Sequence, residues 1–266
     1  MIISQLIPTT DNLFAPNKLI HINLLNLKIY DFRMLKLSKE FYLGEIKMPE
    51  ITLVRHGQAK QNATSEEDYD NLSELGRMQA KWVGGHFRKL KLSYDVIVTG
   101  TLTRQIDTQI LMGLDTKAPV VRDERFNEIR LYDLAGLLKN QFGIDFPKDE
   151  LSFKQHLNLT FKKWENGEIM NPPETFQNYK SRVYEGLNEI KDLGEKILLV
   201  TSGGIVAMAV KHTLNLNTEA LGNCLLASYN TGITKLLYYD QGFVISQMNA
   251  LPHLETPERW SKRTYK

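Results

Sequence analysis

The chain has 266 residues, 42% hydrophobic and 24% charged, with a formal net charge of +2. That balance supplies a substantial core and excludes wholesale disorder, and a charge so near neutral gives no footing for a nucleic-acid or membrane-surface role. No long apolar run is present to span a bilayer, and the single cysteine, Cys224, excludes an internal disulfide or a Cys-based zinc cluster.

At roughly 150 residues per domain the length corresponds to about 1.8 domains. The composition shifts near residue 48. Residues 1–47 are dominated by Asn, Leu and Ile with no clean period, and read as a poorly defined N-terminal extension. Their opening stretch lacks a basic leader and is interrupted by Pro8, Asp11 and Pro16, a poor secretory signal, so a cytoplasmic location is expected. Met48 can itself start a complete domain of about 220 residues, and the extension is expected to be dispensable.

From residue 48 the pattern is regular. PEITLV is a strand-type run leading into Arg55-His56-Gly57. A long helix starts near Ser73, with Leu75, Met78, Trp82, His86 and Leu90 as its apolar stripe. Residues 94–99 read as a buried strand, 102–114 as a helix ending near Gly113, and 118–121 as a short strand. Helical patterns run between about 131 and 165 and from Glu174 to Lys191. KILLVT (196–201) is the next strand, followed by Gly203-Gly204 and a helix, and two final strands meet at an Asp-Gln-Gly turn. Alternating strands and helices predict an α/β fold, a three-layer α/β/α sandwich around a mostly parallel sheet, over 48–266.

In such a sheet ligands gather at the carboxyl ends of the strands. The first end brings Arg55, His56, Gly57, Gln58 and, further on, Asn62; the second brings the Thr99-Gly100-Thr101 loop and Arg104. The third brings Ser202, Gly203 and a helix N-terminus. Two guanidinium groups and free backbone N–H groups make an anion site, with Asn62, Gln58, Ser202 and Gly203 as further phosphate contacts. A neutral imidazole attacks phosphorus when its second nitrogen is held, which makes His56 the candidate nucleophile. The leaving alkoxide needs a proton, and Glu128 in the loop after the 118–121 strand is the candidate acid.

RHGQAKQN followed by LSELGRMQA resembles the opening signature of the histidine phosphatase superfamily, the phosphoglycerate-mutase-like proteins. LTRQIDT, RFNEI, PPETFQNYKSRV and LLVTSGG resemble later family blocks in the same order, over about 50–250, with Glu174 and Arg182 on recurrent positions. The resemblance implies an α/β/α sandwich and a phosphohistidine mechanism on His56 with neither metal nor cofactor. Its substrate is a small phosphorylated metabolite or a phosphoprotein, and residues from about 131 to 175, including Phe153, Phe161 and Trp164, would cap the pocket.

Two departures from the family pattern stand out. Ser202 occupies the place of the family's second catalytic histidine, and Gly100 stands where serine is usual. A serine donates a hydrogen bond but adds no positive charge, and losing one preorganised donor typically costs about 10²–10³ in rate. The readings this leaves are a phosphomonoesterase, a phosphomutase, and a catalytically impaired phospho-ligand or phosphoprotein binder. Ser202 as a simple helix cap is a further alternative. His86 is read as packing, His212 as a cation near a helix C-terminus, and His253 as a surface residue near the site rim.

Overall fold

The computed structural model describes residues 48–265 apart from 64, 115, 116, 148 and 241. The reading of residues 1–47 as a dispensable extension therefore lies outside the described residues. Six strands form one sheet: β1 (Glu50–Arg55), β2 (Val96–Thr99), β3 (Val120–Arg122), β4 (Lys196–Thr201), β5 (Ile233–Tyr239) and β6 (Gly242–Ala250). Their order is β3-β2-β4-β1-β5-β6. The first four are parallel to one another, β5 pairs antiparallel with β1 and β6 antiparallel with β5, so the sheet is mixed, its parallel part running from the β3 edge to β1.

The apolar runs of the central strands have a direct cause. Side chains alternate between the faces of a sheet, so a strand covered on both sides needs apolar residues at every position. Ile51, Leu53, Val96, Val98, Ile197 and Leu199 enter one core. Val54, Ile97, Leu198 and Val200 enter another on the opposite face, against Val83 and Phe87. The sequence-derived three-layer sandwich is the observed architecture.

The helices are α1 (Glu66–Tyr69), α2 (Glu74–Lys89), α3 (Thr103–Met112), α4 (Leu131–Phe142), α5 (Glu150–Glu165), α6 (Phe176–Ile190), α7 (Gly203–Thr213) and α8 (Thr218–Ala227). Ser73 caps α2 as expected, accepting from Gly76 N. The expected stripe of α2 is nevertheless wrong. Met78 and Leu90 are 48% and 54% exposed, whereas Gly76, Ala80, Val83, Gly84 and Phe87 are buried. The helix turns its smallest residues inward because it lies against the end of α3: a Cβ on Gly84 would stand 1.8 Å from Met112 O. The helical region after residue 131 breaks at Gly143, whose φ of 69° suits glycine, and α8 was not anticipated although Asn217 caps it through Ala220 N.

Candidate active site

β1 and β4 are adjacent, with Arg55 paired to Thr201, so the loops after both strands open at one edge. The turn after β1 is fixed on several sides. His56 N donates to Thr201 O at 2.8 Å, Gly57 N to Thr108 Oγ1 at 3.0 Å, and Asn230 Nδ2 to His56 O at 3.2 Å.

The His56 ring is held at both nitrogens. Nδ1 lies 2.7 Å from Gly57 O, which accepts and so places the proton on Nδ1. Nε2 is thereby the lone-pair nitrogen, and it accepts from Arg104 Nε at 3.2 Å. His56 is 1% exposed; burial, then Arg104, then Arg55 hold its pKa well below the ordinary histidine value. The ring is therefore neutral at neutral pH, the form in which imidazole is a nucleophile.

Arg104, also 1% exposed, is anchored by a residue the sequence did not single out. Asp70 Oδ1 accepts from Arg104 Nη1 at 2.9 Å, while its two oxygens accept from the backbone N–H groups of Thr103 and Arg104. Leu102 at the N-cap of α3 has no acceptor, so a carboxylate from 33 positions upstream caps the helix and orients the arginine. The Tyr69 ring lies 5.0 Å from the same guanidinium.

Arg55 uses Nη1 on the carbonyls of Ser228 and Tyr265, and leaves Nε buried without a partner. That guanidinium lies against Gly203, where a Cβ would stand 3.2 Å from Nε. An orphan guanidinium N–H beside the N-terminus of α7 is a place for an anion.

Glu128 reaches the same helix end. Its Oε2 accepts from Gly204 N at 3.0 Å and its Oε1 from Ile129 N at 2.9 Å. A Cβ on Gly204 would meet Glu128 Oε1 at 2.1 Å, so the glycine makes room for the carboxylate. The segment carrying Glu128 is braced by Arg182, whose Nη1 donates to Arg125 O and Asn127 O while Glu174 accepts from its Nε and Nη2.

Ser202 faces elsewhere. It is fully buried, makes no side-chain cap to α7, and its Oγ accepts from Gln105 Nε2 at 2.8 Å. The same nitrogen donates to Phe126 O, and Gln105 Oε1 would stand 1.9 Å from a Cβ on Gly100. Gln105, a residue the sequence did not single out, thus fills the place beside Gly100 and holds the Ser202 hydroxyl. Gln58 is also committed to structure, with Ser73 Oγ donating to its Oε1 at 2.8 Å.

A cavity of about 310 Å³ opens above these groups. Arg55, Asn62 and Glu128 line it, whereas His56, Arg104, Gln58, Ser202 and Gly203 do not. The expected cap region supplies Leu131, Tyr132, Phe146, Pro147, Asp149 and Phe153 to its lining, whereas Phe161 and Trp164 are buried in the core, stacked at 6.3 Å. His253 is a further correction: it is 3% exposed rather than at the surface, with Nε2 2.8 Å from Thr231 Oγ1. Among the described residues, no cluster of three His, Cys, Asp or Glu side chains is placed to hold a metal, and no helix is long and apolar enough to cross a membrane.

Residues 51–251 match the family model described as the histidine phosphatase superfamily (branch 1). The chain is 26% identical over 223 residues to a 2,3-bisphosphoglycerate-dependent phosphoglycerate mutase of Cytophaga hutchinsonii, covering 79% of this chain and 97% of the relative. Among solved structures, phosphoserine phosphatase from Entamoeba histolytica in complex with 3-phosphoglyceric acid aligns with a TM-score of 0.58 at 20% identity, over 78% of this chain and 100% of that one. Bacillus stearothermophilus YhfR aligns with a TM-score of 0.57 at 21% identity, over 78% and 100%. At these identities the two structures speak to the fold.

Proposed function

Because the chain belongs to the histidine phosphatase superfamily, whose members here include phosphatases and a mutase, we propose that it is a phosphomonoesterase with His56 as its nucleophile. The observation that carries this is the fixing of the His56 ring between Gly57 O and Arg104 Nε, which leaves the Nε2 lone pair beside two guanidinium groups.

The steps follow from that placement. A phosphoryl group entering beside Arg55 takes the Arg104 donors onto its oxygens and frees Nε2. Nε2 attacks phosphorus, the P–O bond to the leaving alcohol breaks, and the alkoxide takes the proton from Glu128. Water then gives its proton to the Glu128 carboxylate and attacks the phosphohistidine, which releases inorganic phosphate and restores neutral His56. Arg55, Arg104 and the N-terminus of α7 offset the charge on the phosphoryl oxygens, the term that dominates phosphoryl transfer. No cofactor is required by these steps, and the substrate is a small phosphorylated metabolite or a phosphoprotein.

A panel of phosphomonoesters tested on the wild type and His56→Ala decides the reading. It predicts release of phosphate by the wild type and loss of about 10⁴-fold or more in the variant. Phosphate release that survives unchanged in His56→Ala overturns it. A second reading, a phospho-ligand binder without turnover, rests on Ser202 being committed to Gln105. It predicts that phosphate raises the melting temperature while the whole panel is left intact. A phosphomutase would instead show phosphate exchange that depends on priming by a bisphosphate. The single free cysteine accords with a cytoplasmic setting. The family match begins at residue 51, which supports a dispensable extension, and a chain starting at Met48 that failed to fold would contradict that.

A further inference from the structure

The cavity has two dissimilar ends. Arg55 marks the phosphate end. The apolar wall of the cavity is formed by Tyr69, Tyr132, Phe146, Phe153, Leu225 and Leu226. The rings form a continuous series: Tyr69 meets Tyr132 edge-on at 5.9 Å, Tyr132 lies 6.1 Å from Phe146 with planes 10° apart, and Phe146 meets Phe153 edge-on at 6.1 Å. Such a wall gains free energy from an apolar ring laid against it, through both area removed from water and ring–ring geometry.

The charges that line the cavity point the same way. Among the described lining residues the cations are Arg55, assigned to the phosphate, and Lys60, which is ion-paired with Asp68. Glu66, Glu128 and Asp149 add three carboxylates. Glu66 accepts from Tyr132 N at 2.9 Å, and burial raises its pKa, partly offset by that hydrogen bond and by the Arg104 charge. Asp149 accepts from Ser152 N at the start of α5. A second anionic group on the substrate would enter a region that already carries several carboxylates and would lack an unpaired cation among the described lining residues.

Resting on the hydrolase reading above, we propose that the substrate body is an uncharged aromatic group, so that the enzyme acts on aryl or arylmethyl phosphomonoesters in preference to phosphorylated acids. The ring lies along Tyr132, Phe146 and Phe153 with the ester oxygen toward Glu128. The cavity volume is within the ordinary range for a small-molecule site.

The test compares kcat/KM of the full-length protein for benzyl phosphate, 3-phosphoglycerate and phosphocholine. All three leave as primary alkoxides, so differences report the body of the substrate rather than the leaving group. Benzyl phosphate is expected to exceed both by at least about tenfold, and Phe146→Ala is expected to narrow that ratio. A preference for 3-phosphoglycerate or phosphocholine, or a ratio unchanged by Phe146→Ala, overturns the proposal. If no ester is cleaved, the hydrolase reading fails by itself. Calorimetry with benzylphosphonate and 3-phosphonopropionate then decides the ring preference: tighter binding of benzylphosphonate supports it, and equal or weaker binding overturns it.

Discussion

Gln105 and Ser202 are joined by a buried hydrogen bond of 2.8 Å, donated by Gln105 Nε2 to Ser202 Oγ. The amide of Gln105 sits where Gly100 leaves out a side chain and against the hydroxyl of Ser202. Gln105 and Ser202 are both fully buried. Restoring histidine at 202 alone must therefore displace the amide. Ser202→His is expected to cost about 1–3 kcal/mol, the usual penalty for overpacking a filled core. Adding Gln105→Ala should recover part of that loss, and chemical denaturation of the two single variants and the double variant reads the coupling. Additive losses would show that the two residues do not share the space.

Gly204 and Glu128 give a second test. A methyl group at 204 would stand 2.1 Å from Glu128 Oε1, at the free end of a side chain that can move. Gly204→Ala is therefore expected to shift the carboxylate while the fold survives, lowering kcat by about 10²-fold, the lower range for a displaced acid. In a Glu128→Gln background the same substitution should cost little more. An equal loss in both backgrounds would separate Gly204 from the role of Glu128.

Arg182 acts at a distance from the cavity. It holds Arg125 O and Asn127 O, next to Glu128, and is itself held by Glu174. Arg182→Ala is expected to cost about 2 kcal/mol, below the range for a fully buried pair because the two side chains keep 19% and 25% of their exposure. It should also lower kcat more than it raises KM, since the group it positions is assigned to proton transfer. A stability loss with unchanged kcat would make it a structural brace alone.

Two buried histidines set the response to acid. His56 stays neutral below the ordinary histidine pKa of about 6.5, so kcat should remain level as pH falls through that value. Stability follows a different course. Burial, then His86 and Arg259, push the pKa of His253 down to about 3. Between about 6.5 and 3 the unfolded chain takes up a proton that the folded chain does not, so stability falls as pH is lowered through this window. His253→Gln should make the decline shallower by about 1.4 kcal/mol per pH unit, measured as unfolding free energy at pH 7, 6 and 5. An unchanged slope would contradict the buried neutral ring.

The parts of the fold legible in the sequence are those fixed by local pattern. β1 and β4 are apolar at nearly every position because both faces are covered, and the strand-end motifs place Arg55, His56, Arg104 and Glu128 near one edge. Residues whose role depends on distant partners were not legible. Asp70 serves Thr103 and Arg104 at the start of α3 from 33 and 34 positions away, and nothing around it in the chain marks it as a cap. Gln105 is a polar residue on a helix whose full burial comes from Gly100, Phe126 and Ser202. The stripe of α2 was misplaced because apolarity was followed where the close approach of Met112 favours small residues. His253 is buried by a pairing with Thr231 across 22 positions. In α8 the signal was present, since Asn217 before Thr-Glu-Ala-Leu is an N-cap pattern.

On the proposed mechanism Nε2 of His56 carries the phosphoryl group. The most direct measurement of this is mass spectrometry of protein quenched in alkali during turnover of a phosphomonoester, followed by fragmentation to locate the modified residue. One phosphoryl group is expected, on His56, stable to base, lost in acid and absent from His56→Ala. Turnover with no label on His56, or with a label on another residue, would contradict that mechanism.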